Sequence, residues 1–306
     1  MYRRIRAEGD DDVKAHDLSP RDIGRILDDA LSLYGANWRS ILKLAGTIVF
    51  PVALIYTVST VFITRAATEL TTAAASSVSS SAPPTSALAA FTAAYAVAGA
   101  GAILYLVAQL LFTGSLYSQG EKLLRGEPFG VKDAVKAGLP RLVMLVLTAL
   151  VVSMATSAAL IVSLIILGLG GLAVAALLYV APPAVVVEGL DPIKAVQRSW
   201  RLVRPHLWRA VLLLIGAGIV AAQIEYALIS PTAIRQIVMT LTSPDAIRQT
   251  FSLGWTVFDG LMQGAAITLV LPFTELVVFL FYLDLRSRNE GMDLLIRALE
   301  LAPGPR

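Results

Sequence analysis

Long apolar segments without charged residues alternate with short polar segments along this chain. A helix needs about 20 apolar residues to cross a hydrocarbon core about 30 Å thick, because it rises about 1.5 Å per residue. Six segments meet that length, at about 41–64, 88–116, 142–165, 170–187, 207–229 and 261–283. The pattern therefore predicts an all-α, polytopic membrane protein with six transmembrane helices.

The third and fourth spans come from one uncharged stretch, residues 142–187, which is too long for a single crossing. The predicted turn between them is marked by three glycines, Gly168, Gly170 and Gly171. Pro182 and Pro183 fall near the end of the fourth span. Because prolines leave backbone carbonyls without helical donors, neighbouring helices or water must supply those hydrogen bonds.

The polar segment before the fifth span, residues 191–209, has the pattern of a helix lying on a membrane surface. Asp191 is a favourable N-cap and Pro192 a favourable first helical residue. Helical spacing forms two stripes, an apolar one of Ile193, Val196, Trp200 and Val203 and a basic one of Lys194, Arg198 and Arg201. Such a pair of stripes is typical of amphipathic helices in the membrane interface.

A similar pattern occurs near the N-terminus. Seven residues, Ile23, Ile26, Leu33, Trp38, Arg39, Leu42 and Gly46, align without gaps to Ile193, Val196, Val203, Trp208, Arg209, Leu212 and Gly216. A third and weaker match places Leu139-Pro-Arg141 beside Leu207-Trp-Arg209. We therefore predict three parallel units, each an amphipathic cytoplasmic surface helix followed by two spans, at 19–116, 128–187 and 191–283.

Polar composition divides the rest of the chain. Residues 1–18 are rich in charge and poor in apolar side chains, which predicts a disordered tail. Residues 19–288 form the six-span membrane domain, and residues 289–306 are predicted to be an amphipathic tail. Segments 230–236 and 243–249 share one motif, and each is predicted to be a short helix on the outer surface, capped by Ser and started by Pro.

Basic residues predict the orientation. Of the 25 Lys and Arg residues, all but Arg65, Arg235 and Arg248 lie on the side of the membrane that holds the N-terminus. Positively charged segments remain in the cytoplasm during insertion. Both termini are therefore predicted to be cytoplasmic.

The composition excludes several classes of chemistry. The chain has 306 residues, is 56% hydrophobic and 15% charged, and has a mean hydropathy of +0.71. It has no cysteine and two histidines, which excludes disulfides, thiolate metal sites and histidine-rich metal centres. No sequence motif of a hydrolase or phosphate loop occurs. We therefore expect no metal, no cofactor and no enzymatic activity. The net charge of +3 follows from topology, so no nucleic acid partner is expected.

Glu275 is the only charge well inside the sixth span. An ionised carboxylate there costs several kcal/mol, so it must be protonated, paired or in contact with water. One hypothesis is a proton or ligand site, and the other is a neutral acid that joins helices by hydrogen bonds. Gln109, at a similar depth in the second span, is the predicted partner. Gln223 and Glu225 lie near the outer end of the fifth span, where polar side chains reach interfacial water.

Aromatic and basic residues flank the spans at the cytoplasmic side. Trp38, Arg39, Trp208 and Arg209 fit the belt of aromatic and basic residues at a membrane interface. Arg198, Arg201 and Arg204, together with Arg209, form a basic cluster. Near a membrane surface each such residue contributes about 1 kcal/mol to binding anionic headgroups. The cluster is therefore either a headgroup site or a topology signal.

The chain resembles the bacterial membrane-domain family named after glycerophosphoryl diester phosphodiesterase. The resemblance rests on the surface-helix pattern and on three stretches, 23–38, 182–208 and 282–291. In the phosphodiesterases that name the family, catalysis resides in a separate soluble barrel with histidine and acidic metal ligands. This chain lacks that barrel and those histidines. The resemblance implies a membrane module in the bacterial cytoplasmic membrane.

Two functional hypotheses follow from these residues. The leading one is a non-enzymatic accessory protein that organises membrane lipids or a partner protein through its surface helices. The alternative is a transporter or lipid translocator with a polar intramembrane site around Glu275. A dry, close-packed interior favours the first, and a wet cavity that reaches Glu275 favours the second. The sequence does not indicate an oligomeric state.

Overall fold

The computed structural model describes residues 22–77, 85–163, 169–242 and 253–290. These residues form α-helices and short turns, with no strand among them. The helices are α1 (Ile23–Ser77), α2 (Thr85–Ser118), α3 (Gly120–Leu124), α4 (Val131–Gly138), α5 (Leu142–Val162), α6 (Leu169–Leu178), α7 (Ala181–Glu188), α8 (Pro192–Val203), α9 (Leu207–Thr242) and α10 (Leu253–Glu290). The predicted tail at 1–18 lies outside the described residues. Of the predicted tail at 289–306, the first two residues continue α10, and residues 291–306 lie outside the described residues.

Six helical segments of the described chain are long and apolar enough to cross a membrane. They fall on α1, α2, α4–α5, α6–α7, α8–α9 and α10, and each overlaps one predicted span. Four predicted spans lie inside their segment, whereas 41–64 extends past Thr60 and 142–165 extends past Val162, beyond which residues 164–168 are not described. The prediction of an all-α, multi-pass membrane protein is confirmed. The arrangement in three repeated units stays a prediction.

The first surface helix is not separate from the first span, because α1 runs without a break over Ile23–Ser77. Two other helices do break before their spans, since 3-10 turns at Leu139–Arg141 and Arg204–His206 follow α4 and α8. Each of these turns has a proline at its centre, which removes a helical N–H donor. Gly35 stands at the position of α1 that aligns with Pro205. The prediction of two helices in this region was wrong because no proline interrupts residues 23–50.

The fourth span is divided into α6 and α7 just before Pro182 and Pro183. The Leu177 carbonyl at this break accepts a hydrogen bond from the buried Ser199 hydroxyl of α8 at 2.7 Å. A neighbouring helix thus supplies a donor at the break. By helical spacing the two prolines leave the Leu178 and Tyr179 carbonyls without donors, so the prediction for those carbonyls stays a prediction. The turn predicted at Gly168 falls outside the described residues.

Glycine allows α5 and α6 to approach closely at the other end of this hairpin. A Cβ atom at Gly170 would lie 2.7 Å from Ser163 Cβ, and one at Gly171 would lie 3.0 Å from Leu160 Cα. Ser163 also accepts a hydrogen bond from the Gly171 amide at 3.2 Å. Larger residues at these two positions would therefore push the helices apart.

The short outer helix predicted at 230–236 is instead a continuation of α9, which passes through Pro231 to Thr242. Pro231 cannot donate to the Ala227 carbonyl, its helical acceptor four residues earlier. The Ser230 hydroxyl donates to that carbonyl at 3.1 Å instead. This replacement bond explains why the helix continues. The second copy of the motif, 243–249, lies outside the described residues.

Helix α10 is the central element of the bundle. Its apolar segment is 72% buried within the protein, whereas the corresponding segments of α4–α5 and α8–α9 are 11% buried. Four of the largest fully buried side chains belong to it, namely Phe273, Leu276, Phe281 and Tyr282. It packs against α1, α7, α8 and α9. Polar side chains on α10 therefore meet residues from most of the chain.

Candidate functional site

The Glu275 side chain joins α10 to α2. The Thr113 hydroxyl donates to Glu275 Oε1 at 2.9 Å. The Tyr117 hydroxyl donates to Glu275 Oε2 and lies 3.3 Å from the Glu275 backbone carbonyl oxygen. The Tyr117 ring stacks on Phe279, with 5.5 Å between the ring centroids. Both carboxylate oxygens thus have a hydroxyl donor from one neighbouring helix.

These partners differ from the predicted one. Within the described structure, Glu275 bonds to Thr113 and Tyr117 and not to the Gln109 amide. The Gln109 backbone carbonyl contributes indirectly, because it accepts a hydrogen bond from the Thr113 hydroxyl at 3.0 Å. Gln109, Thr113 and Tyr117 are four residues apart and share one face of α2. The prediction identified the correct helix and face but placed the contact one to two turns too early.

The two polar candidates predicted on α9 differ in exposure. Glu225 is half-buried, whereas Gln223 is exposed at the bundle periphery. On the neighbouring helices, the Tyr105 ring of α2 stacks on the Tyr56 ring of α1, with 5.4 Å between the ring centroids.

A second group of polar residues, here called the charged cluster, joins α7, α8 and α10. It consists of Glu188, Arg198, Tyr282, Arg286 and Glu290. Arg198 donates from Nε to both carboxylate oxygens of Glu188, at 3.0 and 3.1 Å, and also donates to Glu290. Arg286 Nε lies 3.2 Å from Glu290 Oε2, and the Tyr282 hydroxyl donates to Glu188. Arg198 is therefore an internal bridge between helices.

Arg209 is also engaged within the protein. Its Nη2 atom lies 3.2 Å from Oδ2 of Asp284, whose side chain is fully buried. Arg288 donates to the same oxygen at 3.0 Å. Two of the four arginines in the predicted basic cluster, Arg198 and Arg209, thus form interhelical ion pairs. Arg201 and Arg204 are the two that remain exposed.

The predicted interface tryptophans are on the outside of the protein. Trp38, Trp200 and Trp208 are 51%, 43% and 78% exposed. Arg39 lies over the Trp38 ring, with 5.4 Å between its guanidinium carbon and the ring centroid. Exposure of large aromatic side chains at the ends of spans is typical of contact with the lipid interface.

Helix α8 has two distinct faces. Its inner face, buried against the protein, consists of Ala195, Ser199, Leu202 and Val203. On the outer side Ile193 is 64% exposed, and Trp200, Lys194 and Arg201 are exposed as well. Val203 therefore belongs to the inner face and not to the predicted apolar stripe. An open depression of about 430 Å³ on the outer side is lined by Val196, Gln197, Trp200 and Arg201.

An ion pair that the sequence did not indicate links α9 to α10 at the opposite end of these helices. Arg235 Nη2 lies 2.6 Å from Asp259 Oδ2, and both side chains are largely buried. The Arg235 guanidinium also lies over the Trp255 ring at 4.3 Å from the centroid. Arg235 and Asp259 are 24 residues apart and share no sequence motif. They meet because α9 and α10 pack in antiparallel directions.

No group of three or more His, Cys, Asp or Glu side chains is placed to hold a metal ion in the described parts of the chain. Comparison with protein-family models, curated proteins and solved structures gives no match. The resemblance to the phosphodiesterase membrane-domain family therefore stays a prediction. Two of the three stretches on which it rests, 182–208 and 282–291, meet in the charged cluster through Glu188, Arg198 and Tyr282.

Proposed function

We propose that the chain is a non-enzymatic accessory module of the bacterial cytoplasmic membrane, with both termini in the cytoplasm. It organises lipids or a partner protein through α8 and the polar segments on the same side. The two-faced packing of α8 is the observation that carries this proposal. The protein holds the helix by its inner face and presents aromatic, aliphatic and basic side chains outward.

The attachment of α8 is extensive. Ser199 donates to the Leu177 carbonyl, Arg198 pairs with Glu188 and Glu290, and Asn289 of α10 donates to the Leu202 carbonyl at 3.0 Å. These contacts involve three other helices. A helix fixed in this way presents a constant surface, which suits recognition of a ligand or partner.

The packing around Glu275 supports an accessory role over transport. The carboxylate accepts hydrogen bonds from two hydroxyls of α2, so its polarity is satisfied within the protein. Nearby, a Cβ atom at Gly120 would lie only 2.5 Å from Phe279 Cζ. This close contact leaves little space between α10 and the start of α3, which follows directly after α2.

Single-cysteine labelling tests this proposal, because the chain has no native cysteine. We expect Thr274→Cys, beside Glu275, to be protected from a water-soluble maleimide. The control Gln197→Cys, on the exposed side of α8, is expected to react fully. Rapid labelling of Thr274→Cys would show a water-filled path to Glu275 and would contradict the accessory role.

A transporter or lipid translocator is the second candidate. The observation that favours it is the carboxylate of Glu275 within the sixth span, beside the hydroxyls of Thr113 and Tyr117. Carboxylates within spans often mark ion or proton paths. Under this alternative, we expect Thr274→Cys to react. If adding Glu275→Gln then blocks the labelling, water entry depends on the charge of Glu275.

A further inference from the structure

We infer that the outer face of α8 binds the headgroup of an anionic phospholipid through Arg201, Arg204 and Trp200. This inference rests on the proposed accessory function and names the lipid class that it would recognise. Three observations carry the inference: the ion pairs that occupy some of the arginines, the shape of the outer face of α8, and the residue types on that face.

The first observation is that some arginines of the basic cluster form ion pairs within the protein and others are exposed. Arg198 and Arg209 are bound to Glu188, Glu290 and Asp284 and cannot reach a ligand without breaking these pairs. Arg201 and Arg204 are exposed, three residues apart, and lie on the outer side of α8 and the turn that follows it. They are the positive charges of the original cluster that a ligand can contact.

The second observation is the shape and chemistry of the surface beside them. The depression is lined by Val196, Gln197, Trp200 and Arg201, and its surface is mostly apolar. The charges of Arg201 and Arg204 provide the polar flank beside it. Ile193 extends the apolar flank outward. A ligand that fits both flanks carries a negative group next to hydrocarbon, as an anionic phospholipid does. A free phosphate ion would use only the polar flank.

The third observation concerns geometry. Arg guanidinium groups bind phosphate oxygens through paired N–H donors, and Trp prefers the boundary between headgroups and acyl chains. Helix α8 is the polar segment that connects the apolar helices α6–α7 to α9. Under the proposed topology this position places its outer face at the depth of the headgroups. The residue types and their position therefore match the same ligand.

Helix α4 provides a matched control. Like α8, it precedes a 3-10 turn with a central proline. Counted from that proline, Lys136 corresponds to Arg201, and Val135 to Trp200. Lys132 and Lys136 are exposed, so their removal subtracts the same charge from the same side of the chain without touching a tryptophan surface.

The test measures lipids retained by the purified full-length chain from mixed micelles of phosphatidylglycerol and phosphatidylcholine, by native mass spectrometry. We expect the wild type to retain phosphatidylglycerol preferentially. In Arg201→Gln/Arg204→Gln this retention should fall about tenfold or more, because each basic residue contributes several-fold to anionic-lipid binding. Lys132→Gln/Lys136→Gln should retain it as the wild type does.

Three results would overturn the inference. They are equal retention of both lipids by the wild type, an equal loss in both double variants, and displacement of the lipid by millimolar inorganic phosphate. A thermal unfolding scan of each variant confirms that the exposed substitutions leave the fold intact. The labelling of Thr274→Cys is independent of α8, so failure of the headgroup site is distinguishable from failure of the accessory role.

Discussion

At Glu275, two hydroxyls from α2 provide the hydrogen bonds that water would provide outside a membrane. A buried polar group without partners costs several kcal/mol in hydrocarbon, whereas a satisfied one contributes a modest net stabilisation. Measured interhelical hydrogen bonds in membranes average about 0.6 kcal/mol. The role of Glu275 in folding is therefore expected to depend on its hydrogen-bonding ability more than on its charge.

Substitution of Glu275 tests this expectation. Glu275→Gln keeps a carbonyl acceptor for one hydroxyl, so we expect a destabilisation of less than about 1 kcal/mol. Glu275→Leu leaves the Thr113 and Tyr117 hydroxyls without this acceptor and should cost about 1–3 kcal/mol. Unfolding of the purified protein in detergent measures both. Equal destabilisation by the two variants would show that the charge itself is required.

The sequence indicated Glu275 as a special residue because a charge in an apolar segment is conspicuous. Its partners were harder to predict. Gln109, Thr113 and Tyr117 share one face of α2, and the choice among them depends on how far the two helices slide along each other. That offset is set by packing, such as the contact between Gly120 and Phe279, and no periodic pattern encodes it.

At the scale of the helices, a surface helix is separated from the following span where a proline lies between them. Pro140 and Pro205 each occupy the centre of a 3-10 turn between two helices. The N-terminal region has Gly35 at the aligned place and forms one continuous helix. Pro231 shows the converse, because the Ser230 hydroxyl replaces the missing donor and α9 continues.

Two substitutions at Gly35 should therefore have opposite effects. A Cβ atom at Gly35 meets no atom within 4 Å, so Gly35→Ala should raise the free energy of unfolding by about 0.5–1 kcal/mol through better helix propensity. Gly35→Pro should lower it by about 3 kcal/mol, because it removes a bond inside α1. Thermal unfolding in detergent measures both changes. A neutral Gly35→Pro would mean that α1 is already interrupted there.

For the whole molecule, the sequence predicted the six apolar helices that are long enough to cross a membrane. The length of an uncharged segment that crosses a bilayer is set by the bilayer thickness. It can therefore be read from the sequence without knowledge of helix packing. The ion pairs between helices were not predicted, because Arg209 with Asp284 and Arg235 with Asp259 depend on the antiparallel register of α9 and α10. Arg209, which was predicted to belong to a headgroup site or a topology signal, therefore also has a structural role.

Orientation is the remaining prediction at this scale. We expect Glu127→Cys and Gln197→Cys to react with a membrane-impermeant maleimide only after cells are permeabilised, since both positions lie on the predicted cytoplasmic side. Leu241→Cys, at the opposite end of α9, should react in intact cells. All three side chains are exposed in the described structure. The reverse pattern would contradict the assignment of both termini to the cytoplasm.

Among the six candidate spans of the described chain, the central helix α10 is the one that follows the other five. Three of its carboxylates, Asp259, Glu275 and Asp284, bond to residues of α2 and α9, which precede it in the chain. A nascent α10 that meets the bilayer before those helices have assembled would carry Glu275 into lipid without its hydroxyl partners. Entry of this helix into the membrane is therefore coupled to the assembly of the earlier ones. A chain that ends before residue 253 would lack α10 and could not complete this step of assembly.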